Sequence, residues 1–165
     1  EHTDWECELA VIIGRTARYV SKEDAFKYVA GYTICNDVSE RHYQIKRSAG
    51  QWSKGKSSPG FAPVGPWLVT KDEIPDPQKL KMTLDVNGKR MQNGSSSTMI
   101  FDVATLVSHL SEFMTLLPGD LISTGTPPGV GSGIKPKPVF LRVGDSMDVA
   151  IEGLGSQHQK CVETK

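Results

Sequence analysis

Apolar residues along this chain come in short runs punctuated by Gly and Pro, a pattern that predicts strands more often than helices. Trp5 to Ile13 (WECELAVII) is apolar and partly β-branched and ends at Gly14, which predicts a strand. Ser21-Lys22-Glu23-Asp24 has the Ser-x-x-acid form of a capping box. With Ala25, Phe26 and Val29 behind it, this predicts a short helix closed by Gly31. A second apolar segment, Tyr32 to Cys35, runs directly into the polar stretch Asn36 to Arg41. Such a junction is where a strand delivers side chains to a site. Residues 47–62 are rich in Gly, Ser and Lys without periodicity, which predicts a functional loop rather than a linker.

Gly65 to Thr70 returns to a strand pattern. Leu80 to Val86, Asn87-Gly88 and Lys89 to Gln92 predict a hairpin, because Asn-Gly supplies the two positive φ angles of a type I′ turn. Asp102 suits the cap of a helix whose apolar positions Val103, Leu106, Val107, Leu110, Phe113, Met114 and Leu117 keep helical spacing until Pro118-Gly119. Short strands are predicted at Leu121 to Ser123, Val139 to Val143, Met147 to Ile151 and around Lys160 to Val162. The reading is a mainly β, α+β chain with two short helices and one domain over residues 1–165.

Composition narrows the function. The 19 basic and 19 acidic side chains cancel, so no long-range field recruits nucleic acid or an anionic membrane. The longest apolar stretch, Leu9 to Ile13, is too short to span a bilayer, and no signal-peptide pattern opens the chain. Cys7, Cys35 and Cys161 are odd in number and lie in apolar segments, which fits buried thiols in a reducing cytoplasm.

Glu6 and Glu8 lie two apart on the first strand and project from one face. Two solvated glutamates opposite Cys7, Leu9, Val11 and Ile13 would satisfy this pattern. The face turns apolar at once with Ala10 and Ile12, however, and acids at the mouth of a buried face look like ligands. Asp37 ends the next apolar segment and could add a third oxygen. Three carboxylates without Cys or His at ligand spacing favour Mg²⁺, Mn²⁺ or Ca²⁺ over zinc. His2, His42, His109 and His158 form no metal-binding pair, and His109 is expected at a helix surface. Thr124 to Gly131 (TGTPPGVG) follows a strand as a phosphate loop would, yet lacks the Gly-Lys-Ser/Thr ending. A tight turn presenting a threonine hydroxyl and backbone amides to a ligand is the expectation there.

Taken together, Glu-x-Glu-Leu-Ala-Val-Ile-Ile-Gly (6–14), Asn-Asp-Val-Ser-Glu-Arg (36–41), Gly-Lys-Ser (55–57), Gly-Pro-Trp (65–67), Val-Asn-Gly (86–88) and Gly-Asp-Leu-Ile-Ser-Thr-Gly-Thr-Pro-Pro-Gly-Val-Gly (119–131) resemble the fumarylacetoacetate hydrolase family. The resemblance implies the family's C-terminal catalytic domain, a mixed β-sandwich or roll that assembles as a homodimer. It implies Glu6, Glu8 and Asp37 as ligands of Mg²⁺, Lys56 and Arg41 as catalytic cations, and Gln44, Gly125 and Thr126 in the substrate pocket. After Lys56 the chain reads Ser-Ser-Pro-Gly-Phe, where many relatives place an aromatic residue and an acid, so the substrate side departs from the family pattern.

The implied reaction is hydrolysis of a carbon–carbon bond in a small 2,4-dioxo acid through a metal-stabilised enolate. The runs Asp-Trp-Glu-Cys-Glu-Leu-Ala and Thr-Pro-Pro-Gly-Val-Gly are most similar to bacterial members of sugar-acid or aromatic catabolism. Isomerisation of 2-hydroxyhepta-2,4-diene-1,7-dioate and decarboxylation of oxaloacetate-like acids pass through the same intermediate and stay open. A non-catalytic domain that holds Ca²⁺ for stability is the alternative of another class. Family members carry a His and Glu pair on a lid upstream of the Glu-x-Glu strand, and the general base is expected from such a segment.

Overall fold

The computed structural model describes residues 2–163. Its strands are β1 (Thr3–Asp4), β2 (Cys7–Ile13), β3 (Val29–Asn36), β4 (Ser39–Glu40), β5 (Val64–Thr70), β6 (Lys81–Val86), β7 (Lys89–Ser95), β8 (Leu121–Ser123), β9 (Ser146–Ile151) and β10 (Gly155–Lys160). They form two four-stranded sheets, ordered β5-β3-β2-β8 and β10-β9-β6-β7, and a two-stranded β1-β4 ribbon. The mainly β, α+β class is as expected, but among the described residues every strand pair is antiparallel, so these sheets are not mixed. Leu9, Val11 and Ile13 of β2 share one buried core with Met82 and Leu84 of β6 and Val149 and Ile151 of β9. Among the described residues, no helix is long and apolar enough to cross a membrane.

The hairpin forms as the Asn-Gly pair requires: Asn87 and Gly88 take φ of 50° and 75° between β6 and β7. Helix α1 (Ser53–Lys56) and the π-helical turn His42–Arg47 before it lie in and beside the expected functional loop, where no apolar spacing announced them. Helix α2 (Val103–Phe113) starts at Asp102, whose side chain accepts from the Thr105 amide at 2.7 Å.

Three local expectations are corrected. The helix expected after Ser21 is a single 3-10 turn, Ala25–Lys27, and Gly31 lies inside β3 rather than at a helix end. Gly31 is needed for sheet packing, since a Cβ there would sit 2.1 Å from the Val69 carbonyl oxygen. Helix α2 ends at Phe113, not Pro118: Met114 is already extended, with φ of −142° and ψ of 156°, and Leu116 pairs with Ala17 through bonds of 2.8 and 2.9 Å. Val139 to Val143 is not a strand; it is tied at alternate residues, Val139 to Gly131 and Leu141 to Thr3. Cys7 and Cys35 are buried thiols as expected, while Cys161 is only partly buried.

Lys22 and the Thr105 side chain and amide together hold the Asp102 carboxyl down to about 2. Asp102→Ala should therefore lower stability at neutral pH by about 1 kcal/mol in urea unfolding. Because the folded pKa is depressed, the contribution is present above the ordinary carboxylate pKa of about 4 and is lost as pH falls towards about 2. The difference between parent and variant should narrow over that window.

Candidate functional site

The site is built where β2 begins. Asp4, Glu6 and Glu8 alternate along one strand line, and the Asn36–Asp37 corner at the end of β3 is fastened to it. The Asn36 side-chain oxygen accepts from the Glu6 amide at 2.9 Å, and the Asp37 amide donates to the Glu6 carbonyl at 2.9 Å. This brings Glu6, Glu8 and Asp37 together, each offering a carboxylate oxygen within 4.8 Å of the others. Glu6 and Glu8 are only 8% and 3% exposed, which removes the solvated-face reading of the pair.

Each acid has its own support. Glu8 Oε2 accepts from the Ser123 hydroxyl at 2.5 Å and from the Gly125 amide at 2.8 Å, while its Oε1 accepts from no donor among the described residues. Burial nonetheless pushes its carboxyl up to about 7, against those two donors and with Asp37 and Glu6 adding repulsion. Glu6 lies between two cations, with Arg41 Nη1 at 2.7 Å from Oε1 and Lys56 Nζ at 2.7 Å from Oε2. Lys56 also reaches Asp37 at 2.5 Å. Burial raises the Asp37 carboxyl despite that contact. For Lys56 burial works the other way, yet Asp37 and Glu6 outweigh it and hold the ammonium above its ordinary range.

Helix α1 carries Lys56 to this place because Gly55 lets two backbones meet; a Cβ on Gly55 would lie 2.6 Å from the Gln44 amide nitrogen. Gln44 is buried and accepts from Arg41 at 3.0 Å. Gly125, with φ of 95°, turns its amide to Glu8. The Thr126 hydroxyl donates to the Cys7 carbonyl at 2.9 Å and accepts from Gln92 at 2.8 Å. Its proton is thus committed to the protein, and the Thr126 amide, which has no acceptor among the described residues, is the donor this turn presents.

All the residues singled out in the sequence therefore lie in or against one cluster. Sequence reasoning missed Asp4, Asn36, Gln92 and Ser123. Asp4 was within reach, since it continues the Glu6 and Glu8 alternation. Gln92 gave no signal: it is a lone polar residue on β7 whose side chain bridges the Cys7 amide, the Pro127 carbonyl and Thr126 at 2.9, 2.7 and 2.8 Å.

Four carboxylates, Asp4, Glu6, Glu8 and Asp37, face two cations, Arg41 and Lys56, so two negative charges are in excess when all four acids are ionised. An all-oxygen donor set with that excess fits a hard divalent ion. His109, as expected, stays outside on the exposed face of α2.

The family model for the fumarylacetoacetate (FAA) hydrolase C-terminal domain matches residues 1–162. The chain belongs to the fumarylacetoacetate hydrolase family. It is 58% identical over 162 residues to 2,4-didehydro-3-deoxy-L-rhamnonate hydrolase of Sphingomonas sp. (strain SKA58), covering 98% of this chain and 56% of that protein. Fumarylacetoacetate hydrolase from psychrophilic Exiguobacterium antarcticum superposes with a TM-score of 0.93 at 45% identity, over 100% of this chain and 58% of that one. Fumarylpyruvate hydrolase from Pseudomonas aeruginosa, solved in complex with Mn²⁺ and pyruvate, superposes with a TM-score of 0.88 at 34% identity, over 99% of this chain and 67% of that one. The chain spans about half the length of the curated relatives it matches.

Gln92→Leu would strand the buried Cys7 amide and Pro127 carbonyl. A loss of about 3 kcal/mol in urea unfolding is expected, against no more than about 0.5 kcal/mol for an exposed polar residue.

Proposed function

We propose that residues 1–165 are the catalytic domain of a Mg²⁺-dependent hydrolase that cleaves a carbon–carbon bond in a small 2,4-dioxo acid. The observation that carries the proposal is the convergence of Glu6, Glu8 and Asp37 beside the Lys56 ammonium, in a member of this family. Fumarylpyruvate hydrolase, holding Mn²⁺ and pyruvate, supports it. Pyruvate is the half that a 2,4-dioxo acid releases when the bond between C3 and C4 is cleaved.

Glu6, Glu8 and Asp37 would hold the ion, and Mn²⁺ and Ca²⁺ suit the same oxygen set. When bound, a divalent ion supplies Lewis-acid polarisation of the 2-oxo acid's oxygens. Lys56, already placed against Glu6 and Asp37, offsets negative charge that develops on the substrate. Arg41 acts from one step back, with Nε and Nη2 on Asp4 and Nη1 on Glu6 and Gln44. The Thr126 amide, placed by the Gly125 turn, is the donor assigned to the substrate's carboxylate. No histidine lies in this cluster among the described residues, so we assign water activation to a further part of the whole protein, in keeping with the greater length of its relatives.

The three free thiols support a reducing cytoplasm. The exposed Val64, Trp67 and Leu68 on the edge strand β5 support a homodimer.

Calorimetry tests the reading. Mg²⁺ should bind this chain, oxalate should bind only with Mg²⁺ present, and Glu8→Gln should weaken the ion's binding at least tenfold. Ion binding without any 2-oxo acid mimic would reduce the chain to a cation-stabilised structural domain. Lys56→Met should spare the ion while lowering turnover of the whole protein by at least a hundredfold, read as pyruvate release from a 2,4-dioxo acid. Residues 1–165 alone should bind the ion yet turn over far more slowly than the whole protein.

A further inference from the structure

Asp4 has no part in the chemistry described so far, yet it is the most heavily coordinated side chain near the site. It is fully buried. Oδ1 accepts from the amides of Trp5 at 2.9 Å and Gly131 at 2.6 Å. Oδ2 accepts from the Ser132 amide at 2.9 Å and from Arg41 Nε at 2.8 Å, and Arg41 Nη2 pairs with it as an ion pair at 2.8 Å. A carboxylate offers about four lone-pair directions, and this one is saturated by protein. Asp4 therefore cannot be an additional ion ligand.

Burying an unpaired charge is costly, and an ion pair in a protein interior contributes little net stability over a well-packed apolar pair. The geometry points to a different use. Arg41 faces two carboxylates: one edge of its guanidinium is taken by Asp4, and Nη1 reaches Glu6 Oε1 at 2.7 Å and Gln44 Oε1 at 3.0 Å. Asp4 thus offsets the Arg41 charge along the edge that does not reach Glu6 and fixes its plane. The three backbone amides hold Asp4 itself still.

Resting on the metal-centre reading above, we infer that Asp4 is a positioning residue. By taking up the Arg41 charge it leaves the Glu6 carboxylate freer to serve a divalent ion, and it sets which Glu6 oxygen Arg41 occupies. Without Asp4 the full guanidinium charge would fall on Glu6, at a distance where Coulomb interaction between partly buried charges is large. The planar fork of Arg41 lets one edge hold Asp4 while Nη1 holds Glu6 in a fixed relation.

A double-mutant cycle tests this. Isothermal titration of Mg²⁺ is measured on the parent, Asp4→Asn, Arg41→Gln and the double variant, with circular dichroism and thermal unfolding on each. Asp4→Asn should weaken Mg²⁺ binding about tenfold in the parent background and by less than twofold in the Arg41→Gln background. A merely structural Asp4 would lower the melting temperature in both backgrounds without this dependence on Arg41. Equal loss of ion affinity in both backgrounds, or none in either, overturns the inference. If Asp4→Asn alone does not fold, Arg41→Gln against the double variant decides it: equal affinity supports the role and a further tenfold loss overturns it. A parent that binds no divalent ion brings down the proposed function and this inference with it, whereas a parent that binds and an unaffected Asp4→Asn brings down this inference only.

Discussion

Carboxylates gathered in a poorly solvated place repel one another, and the cost rises as water is removed. Asp4, Glu6, Glu8 and Asp37 are held under that constraint at the mouth of β2, and each escapes it differently. Glu8 draws on a hydroxyl and a backbone amide, Glu6 on two cations, Asp37 on Lys56, and Asp4 on three amides and the edge of Arg41. Apart from the neighbouring Trp5 amide, these donors come from β8, the turn after it, the residue that caps the π-helical turn, α1 and the loop at Gly131. The cluster cannot form until the fold is complete, because no local segment contains both the acids and their partners. The central place of β2, between β3 and β8, follows from this: its two neighbours bring Asp37 and Ser123 to the two glutamates from opposite sides.

What could be read from the sequence follows the range of the forces involved. The Asn87-Gly88 hairpin, the Asp102 cap and the β2 run are set by residues within a few positions of one another, and the sequence declared them. The chain around Ser21 carried an equally good local signal, but β3 competes for Val29 onward, and pairing on both edges outweighs a weak helix. Strand β10 is a different case. Its sequence, GSQHQK, has no apolar residue, because its inward side chains are glutamines that bond the backbone of Ile34 and Gly65 and the side chain of Asn36. A strand seated by hydrogen bonds rather than by burial leaves no periodic trace of hydrophobicity.

The candidate site divides in the same way. Glu6 and Glu8 were legible from strand periodicity, and Asp37 from its place at a strand end. Lys56, Arg41 and Gln44 could be singled out only by resemblance, because nothing near a lysine in a Gly-Ser loop says that a distant strand holds its counter-ions. Asp4 shared the period of the two glutamates but stood near the chain's first residues, where an acid reads as solvated. Its burial depends on Gly131 and Ser132, more than a hundred residues away.

Gln92 shows how the second layer restricts the first. Its amide orientation is dictated by backbone: the Cys7 amide can only donate, so it faces the side-chain oxygen, and the Pro127 carbonyl can only accept, so it faces the nitrogen. The remaining N–H must then go to Thr126, which makes that hydroxyl an acceptor there and directs its own proton to the Cys7 carbonyl. A side chain that the sequence presented as a ligand anchor is therefore a strut between β2 and the turn. On the proposed function, recognition of an acid by this turn falls to its backbone, whose direction is fixed by Gly125 and by Pro127 packed against Gly94, where a Cβ would come within 2.5 Å of the proline ring. The amides this turn presents are thus set by main-chain geometry, and the side chains behind them decide how rigidly that geometry is held.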